Sequence, residues 1–401
     1  MMKMKANILL ILWIVVGMHT AVAQERNINF ETGKSWKELV AKARKAGRLI
    51  FVDCYTSWCG PCKLLARDVF TDPEVADFFN ANFINAKYDM EKDADGPVLK
   101  KQFGVTAFPT LVFVDPHTCE VVHRMVGAGT PAWLLGGAAL AMEPDNNLRA
   151  MEKRYAAGER TAALVRNYAA ALYSAYKRDE AARIACAYLD PLPVDSLCTA
   201  ANWELIKRCV NDPLSASLKR VIAEREKFYL TVGRDEVDRK LEKSMLDAAM
   251  ALAAWQPKKQ IPFDERRQEE LIHYLRETDF YAAPAALAWL YTASYLHQED
   301  FRGMFRKMKE VMSYNLFRHG GGNVYLRENL RKFIYSDDKE LMTEAIHWID
   351  TCCAASANSL DKANFMRIKA ILQQKTGDNP GARTSRNETE RYMQEFRERK
   401  R

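Results

Sequence analysis

Trp58-Cys59-Gly60-Pro61-Cys62 carries the most legible chemistry in this 401-residue chain. Two cysteines separated by two residues can sit on the first turn of a helix, close enough to form a disulfide with each other. The same spacing can also supply half of a zinc site. The neighbouring residues separate these readings. Leu49 to Tyr55 reads as a buried strand, and Lys63 to Phe70 as a helix with an apolar stripe. The dithiol therefore falls at a strand-to-helix junction, with Cys59 near the helix N-terminus. Unpaired amides and the helix dipole stabilise a thiolate there and lower its pKa, to about 7 in dithiol sites of this kind. Pro61 suits the first turn, where its missing N–H costs nothing. No second C-x-x-C or C-x-x-H occurs, so a four-ligand zinc site lacks its remaining ligands. Redox chemistry is expected over a metal-binding or purely structural pair. His117, His123, His273, His297, His319 and His347 show no metal-ligand spacing and are read as surface or core residues, so neither a metal nor a cofactor is expected. Gly320-Gly321-Gly322 lacks a following Lys-Ser/Thr and reads as a flexible loop rather than a phosphate cradle.

Alternating strands and helices must position this dithiol. Ser35 to Ala46 is an amphipathic helix with Ser35 as its N-cap and Trp36, Leu39, Val40 and Ala43 on one face. Pro73 starts another helix, in which Val75, Phe78 and Phe79 point inward. Phe83 to Tyr88 is a second buried strand, and Gly96 to Phe103 is helical. Thr110 to Val114 and Val121 to Met125 are strands around a turn at Asp115-Pro116-His117, and a helix follows Thr130-Pro131. This order implies an α/β domain with some parallel pairing, over residues 24–142. Beyond Glu143-Pro144-Asp145 strand signals vanish. Residues 143–382 read as a larger all-α domain of irregular stacked helical hairpins, without a clean repeat period. Residues 383–401 form a charged tail whose interleaved signs suggest a solvated helix or a frayed end.

The first 23 residues read as a cleaved signal peptide. Lys3 and Lys5 precede an apolar run from Ile8 to Val16 that is too short to span a bilayer, and Ala21-Val22-Ala23 fits the cleavage rule. An uncleaved N-terminal anchor is the alternative. An exported, soluble, periplasmic protein is the simplest expectation. The net charge of +7 lies outside residues 24–142, which hold 14 basic and 14 acidic residues, and nucleic-acid binding is not expected of an exported chain. Nine cysteines is a high count for an oxidising compartment. Cys198 and Cys209, read as lying on one helix, would be about 16 Å apart, too far to bridge. Cys54, Cys119, Cys186, Cys198, Cys209, Cys352 and Cys353 are expected as buried free thiols, with a Cys186 bridge as the alternative.

Several ordered motifs give the first domain a family resemblance. Val52-Asp53, then Trp58-Cys59-Gly60-Pro61-Cys62-Lys63, then Ala86-Lys87, Phe108-Pro109-Thr110 and Val126-Gly127-Ala128 resemble the thioredoxin superfamily. Val69 to Val75 and Phe103-Gly104-Val105 are most similar to the secreted thioredoxin-like domains of bacterial periplasmic disulfide reductases. The helical remainder carries no such resemblance.

The resemblance implies a thiol–disulfide oxidoreductase that reduces or isomerises protein disulfides. Cys59 would attack a substrate disulfide, and Cys62, the more buried, would resolve the mixed disulfide. Asp53 would lie beneath Cys62 and move its proton; otherwise it caps a strand end. Lys87 would pair with Asp53; otherwise it faces solvent. Trp58, Gly60, Pro61, Phe108 and a cis Pro109 would border the substrate, with Trp58 either covering the site or merely packing. Two departures from the family stand out: Cys54 in place of a bulky apolar residue, and Phe108 in place of a smaller one. The Gly-Pro insert is that of reducing members, so a membrane-embedded electron donor is implied. The rival reading is a helical scaffold or partner-binding protein in which the first domain is a redox switch or docking module; the helical domain could also select substrates.

Overall fold

The computed structural model describes residues 27–254, 262–318 and 321–399. The expected leader, His319 and Gly320 lie outside these described residues. The chain divides into two compact units, the first ending at Lys177 and the second starting at Arg178.

In the first unit, α1 (Trp36–Ala46) opens with a capping box: Ser35 and Glu38 satisfy each other's backbone amides. It is followed by β1 (Ile50–Tyr55), α2 (Gly60–Asp68), α3 (Pro73–Asn82), β2 (Ile84–Asp89), α4 (Gly96–Gln102), β3 (Thr110–Val114), β4 (Val121–Val126) and α5 (Pro131–Met142). The sheet order is β2-β1-β3-β4. β1 runs parallel to β2 and antiparallel to β3, and β4 is antiparallel to β3.

β1 is central, and Ile50 to Cys54 are buried. Its alternation assigns residues to two cores. Ile50, Val52 and Cys54 join Leu39, Val40 and Ala43 of α1 and Leu99 of α4. Phe51 points the other way, into a cluster with Leu65, Phe79, Phe113 and Leu134. There the Phe51 and Phe79 rings meet edge-on, 4.6 Å between centroids. Asp53, at odd register with Phe51, lies on the α2 side, and Cys54 lies on the opposite face.

Two further helices, α6 (Leu148–Ala156) and α7 (Ala162–Ser174), belong to this first unit and pack against β4. The buried His123 of β4 accepts the Leu148 amide on Nδ1 at 3.3 Å. Burial pushes this imidazole down to about 4, so it stays neutral and able to accept at neutral pH.

From Arg178 onward the described structure is helical. The stretches expected as single helices over 196–210 and 214–230 are each divided. Val194–Leu197 and Ala200–Cys209 are separated by Cys198-Thr199, and Ala216–Ala223 and Arg225–Thr231 meet at Glu224. Cys198 and Cys209 are therefore not on one helix. Gly321 and Gly322, expected in a loop, instead begin the helix Gly321–Leu330.

The charged end of the chain takes the helical one of its two expected forms, but one face of that helix is buried. It forms the 20-residue helix Asn379–Glu398, which folds back on Ser359–Thr376 after Gly377 in the left-handed conformation. Ala382, Ser385 and Thr389 are small, lie along one face and are buried, which lets the two helices approach closely. Ser385 donates to Gln373 at 2.7 Å near the turn, and Ser359 to Glu395 at 3.3 Å at the far end.

Cys186 forms no disulfide. Cys54, Cys198, Cys209 and Cys353 are buried, whereas Cys119, Cys186 and Cys352 are half-buried. Cys119 sits in the turn between β3 and β4 with φ +57°, and its half-buried side chain packs against the core on the α1 side.

Candidate active site

The loop leaving β1 carries Thr56, Ser57 and Trp58 to the start of α2. Cys59 is the N-cap: its backbone is extended, and its Sγ accepts the Cys62 amide at 3.1 Å. A sulfur normally substitutes poorly for the oxygen of a capping serine. Here it receives an oriented amide at the positive end of the helix, the arrangement that stabilises a thiolate. Pro61 occupies the first turn without losing a hydrogen bond.

Cys59 and Cys62 are joined in a disulfide. With the bond formed, Cys59 is 3% and Cys62 5% exposed, so Cys62 is not the more buried of the two. The crosslink places both sulfurs in one small volume, and it is position on the helix, cap against first turn, that differentiates them. Gly60 and Pro61 are exposed.

Asp53 and Cys62 line one cavity of about 210 Å³, together with Phe30, Thr56, Phe70 and Lys87. Burial pushes the Asp53 carboxyl up to about 7, against the opposing pull of Lys87. Its Oδ1 and the Thr56 hydroxyl are buried, with no partner among the described residues. Lys87 is the register partner of Asp53 on β2. Its side chain is exposed, and its ammonium lies 5.3 Å from the centre of the Phe30 ring. No ion pair within 4.0 Å joins Lys87 to Asp53 among the described residues, so the expected pairing is replaced by attraction through space. The parallel register aligns the two backbones while the ammonium extends to the rim.

β3 supplies the second part of the site. The Phe108–Pro109 bond is cis, and Thr110, the next residue, pairs with Cys54 of β1. Gly127, with φ +101°, donates its amide to the Pro109 carbonyl at 2.9 Å. A residue with a Cβ is disfavoured in that conformation, which gives the late glycine a physical role. Trp58 is 65% exposed and stands edge-on to Phe108, 6.0 Å between ring centroids. Trp58 therefore stands at the surface beside the dithiol loop and not in the core.

Residues absent from the sequence-based expectation anchor this loop. The buried Asp89 carboxylate accepts the Ser57 amide at 3.0 Å on one oxygen, and the Glu91 and Lys92 amides at 3.0 and 3.2 Å on the other. Burial opposes its ionisation, but these three amides outweigh burial and hold it below the usual carboxylate range. Glu91 in turn accepts the Trp58 indole N–H at 2.9 Å. The only sequence signal was an acidic run after a strand, which ordinarily marks a solvated turn.

Gly96 closes the same turn. A Cβ there would run into the Asp89 backbone carbonyl. Gly96→Ala is expected to lower stability by about 1–3 kcal/mol, the cost of overpacking against rigid backbone. Slower thermal inactivation or an unchanged denaturation midpoint for the variant would refute this.

Among the described residues no group of three or more His, Cys, Asp or Glu is placed to hold a metal ion. A thioredoxin-like family model matches residues 31–116. Thioredoxin H4 of Arabidopsis thaliana is 34% identical over 108 residues, spanning 27% of this chain and 84% of that protein. The thiol:disulfide interchange protein DsbD of Haemophilus ducreyi is also 34% identical, over 94 residues, but the match spans 22% of this chain and only 16% of DsbD. A solution structure of a disulphide-isomerase candidate from Bacteroides thetaiotaomicron shares 44% identity over 30% of this chain and 98% of its own, with a TM-score of 0.28. The helical region carries no family match. Since 84% of a plant thioredoxin is matched at 34% identity, the chain belongs to the thioredoxin-like family of thiol–disulfide oxidoreductases.

Proposed function

We propose that this protein is exported and reduces or isomerises protein disulfides through Cys59 and Cys62. The observation that carries this reading is the disulfide at the start of α2, with the Cys59 sulfur receiving the Cys62 amide. In the reduced protein the Cys59 thiolate attacks one sulfur of a substrate disulfide. The substrate's S–S bond breaks, a Cys59–substrate bond forms, and the leaving sulfur departs as a thiolate. Asp53, ionised above a pH of about 7, takes the proton from Cys62 across their shared cavity. Cys62 then attacks Cys59, the substrate leaves as a dithiol, and the Cys59–Cys62 disulfide retains the oxidation. Two electrons have moved to the substrate.

Each reductive cycle requires a donor of two electrons. For an exported protein we assign that role to a membrane-embedded partner. Among the described residues no helix is long and apolar enough to cross a membrane. The leader pattern over residues 1–23 supports export, and the DsbD relative supports an interchange role. The helical region, built from helices folded back on one another, is assigned the holding or selection of partner proteins on its size and texture.

Trapping tests the reading. Cys62→Ser, expressed with its leader, is expected to accumulate mixed disulfides through Cys59, whose partners mass spectrometry would name. Absence of any trapped species, with no dithiothreitol-driven insulin reduction by the wild type, would favour the scaffold instead.

A further inference from the structure

We infer that the helical region holds a binding site for a small carboxylic acid with an apolar body, in the cavity of about 250 Å³ that the buried Lys332 lines. Thiol exchange at Cys59 plays no part in it.

Three segments enclose the cavity. The helix Arg234–Ala253 ends there, Ala283–His297 supplies Trp289, and Gly321–Leu330 runs directly into the short 3-10 helix Arg331–Tyr335. A lysine is seldom buried unless its charge is met. Lys332 is 7% exposed, and its ammonium donates to the Ala253 carbonyl at 2.6 Å and to Asn329 Oδ1 at 3.0 Å. Asn329 is fixed in turn by its own donation to the Tyr325 carbonyl at 2.9 Å. The Ala253 carbonyl belongs to the last turn of its helix, so Lys332 also caps that helix. An ammonium has three hydrogens, and the third finds no partner among the described residues. Burial lowers this lysine to about 8, against the pull of Glu328, so it keeps its charge at neutral pH.

Capping does not account for the rest of the lining. Arg327 and Arg331 border the same cavity, and both donate to Glu328, at 3.0 and 3.3 Å. Among the described lining residues three cations therefore meet one carboxylate, a balance that favours an anion. Met250, Trp289, Val324 and Ile334 give the cavity apolar walls. A bare inorganic anion would leave those walls wet, whereas a carboxylate on an apolar body uses both parts. The volume falls below the about 300–1,000 Å³ of sites for drug-sized ligands, so the occupant is small.

Isothermal titration of the full-length protein tests the site, with 3-phenylpropionate, its alcohol 3-phenylpropan-1-ol, and acetate as probes. The acid is expected to bind saturably and at least about tenfold more tightly than either of the others, since the alcohol lacks the charge and acetate lacks the body. Lys332→Met keeps the apolar stem and removes the ammonium. It should weaken the acid at least about tenfold and leave the alcohol within about twofold. Arg331→Gln should weaken the acid about threefold and spare the alcohol. Its side chain is 60% exposed and caps nothing, so it decides the matter should Lys332→Met fail to fold. No saturable binding of the acid would overturn the site. So would an alcohol or an acetate that binds as tightly as the acid, or an affinity for the acid that neither substitution lowers.

Discussion

At pH 8, Asp53→Asn is expected to make the sheet of the first unit about 4 kcal/mol harder to open than in the wild type, and at pH 4 the difference should nearly vanish. The reason is a buried carboxyl with no direct counter-ion. Its proton is lost at an ordinary value of 3.8 in the unfolded chain but only at about 7 in the folded one. Between those values the folded state holds a proton that the unfolded state has released, so stability falls as pH rises. Above pH 7 the whole cost is present. A difference of about 3 pH units at about 1.4 kcal/mol each gives about 4 kcal/mol. Asparagine never ionises and escapes it. Hydrogen exchange of the β1 amides reports this unit separately from the helical one. Equal protection of variant and wild type at pH 8 would mean that Asp53 is not the carboxyl described here.

A group that weakens the fold needs a compensating use. Asp53 is the one carboxylate among the residues lining the cavity it shares with Cys62. A carboxyl that titrates near neutrality is matched to accepting a thiol proton. The same substitution should therefore slow resolution of the mixed disulfide while sparing the first attack by Cys59, a division that quenched-flow trapping can read.

How much of this was legible before the coordinates depended on the range of the interactions involved. The dithiol at a strand-to-helix junction is marked by a short motif, because strand and cap geometry are local. Ser35 and Pro73 announced their helices for the same reason. Asp53 and the cis Pro109 were legible only through the family resemblance that the motifs of the first domain carry. Glu91 and Asp89 were not legible. Their partners, Trp58 and Ser57, lie 33 and 32 residues away, and an acidic residue in a turn looks the same whether or not it accepts a distant N–H. The change of texture at Glu143-Pro144-Asp145 marks where strands cease. It does not mark where packing ceases, since α6 and α7 still pack against β4. The breaks at Cys198-Thr199 and Glu224 contain neither glycine nor proline, so periodicity ran through them. At the end of the chain, charge concealed a face of small residues at Ala382, Ser385 and Thr389 that only a partner helix explains.

Replacing the attacking sulfur should have the largest effect of all. Cys59→Ser is expected to lose at least about a thousandfold in disulfide reduction, because a serine hydroxyl is not ionised near neutrality and forms no exchangeable bond to sulfur. Cys62→Ser should differ in kind: its first turnover proceeds, and the protein then stalls as a mixed disulfide. Measured as single-turnover attack on a peptide disulfide, the two variants separate even though both fail in steady state. Cys54 offers no rescue. It lies on the opposite face of β1 from Asp53, in the core beneath α1, and burial raises its thiol well above the ordinary range. Steady reduction by Cys59→Ser above a few per cent of wild type would require Cys62 to attack from the first turn of α2, where it lacks the cap amide that Cys59 receives. That result would remove the helix cap from the explanation of reactivity.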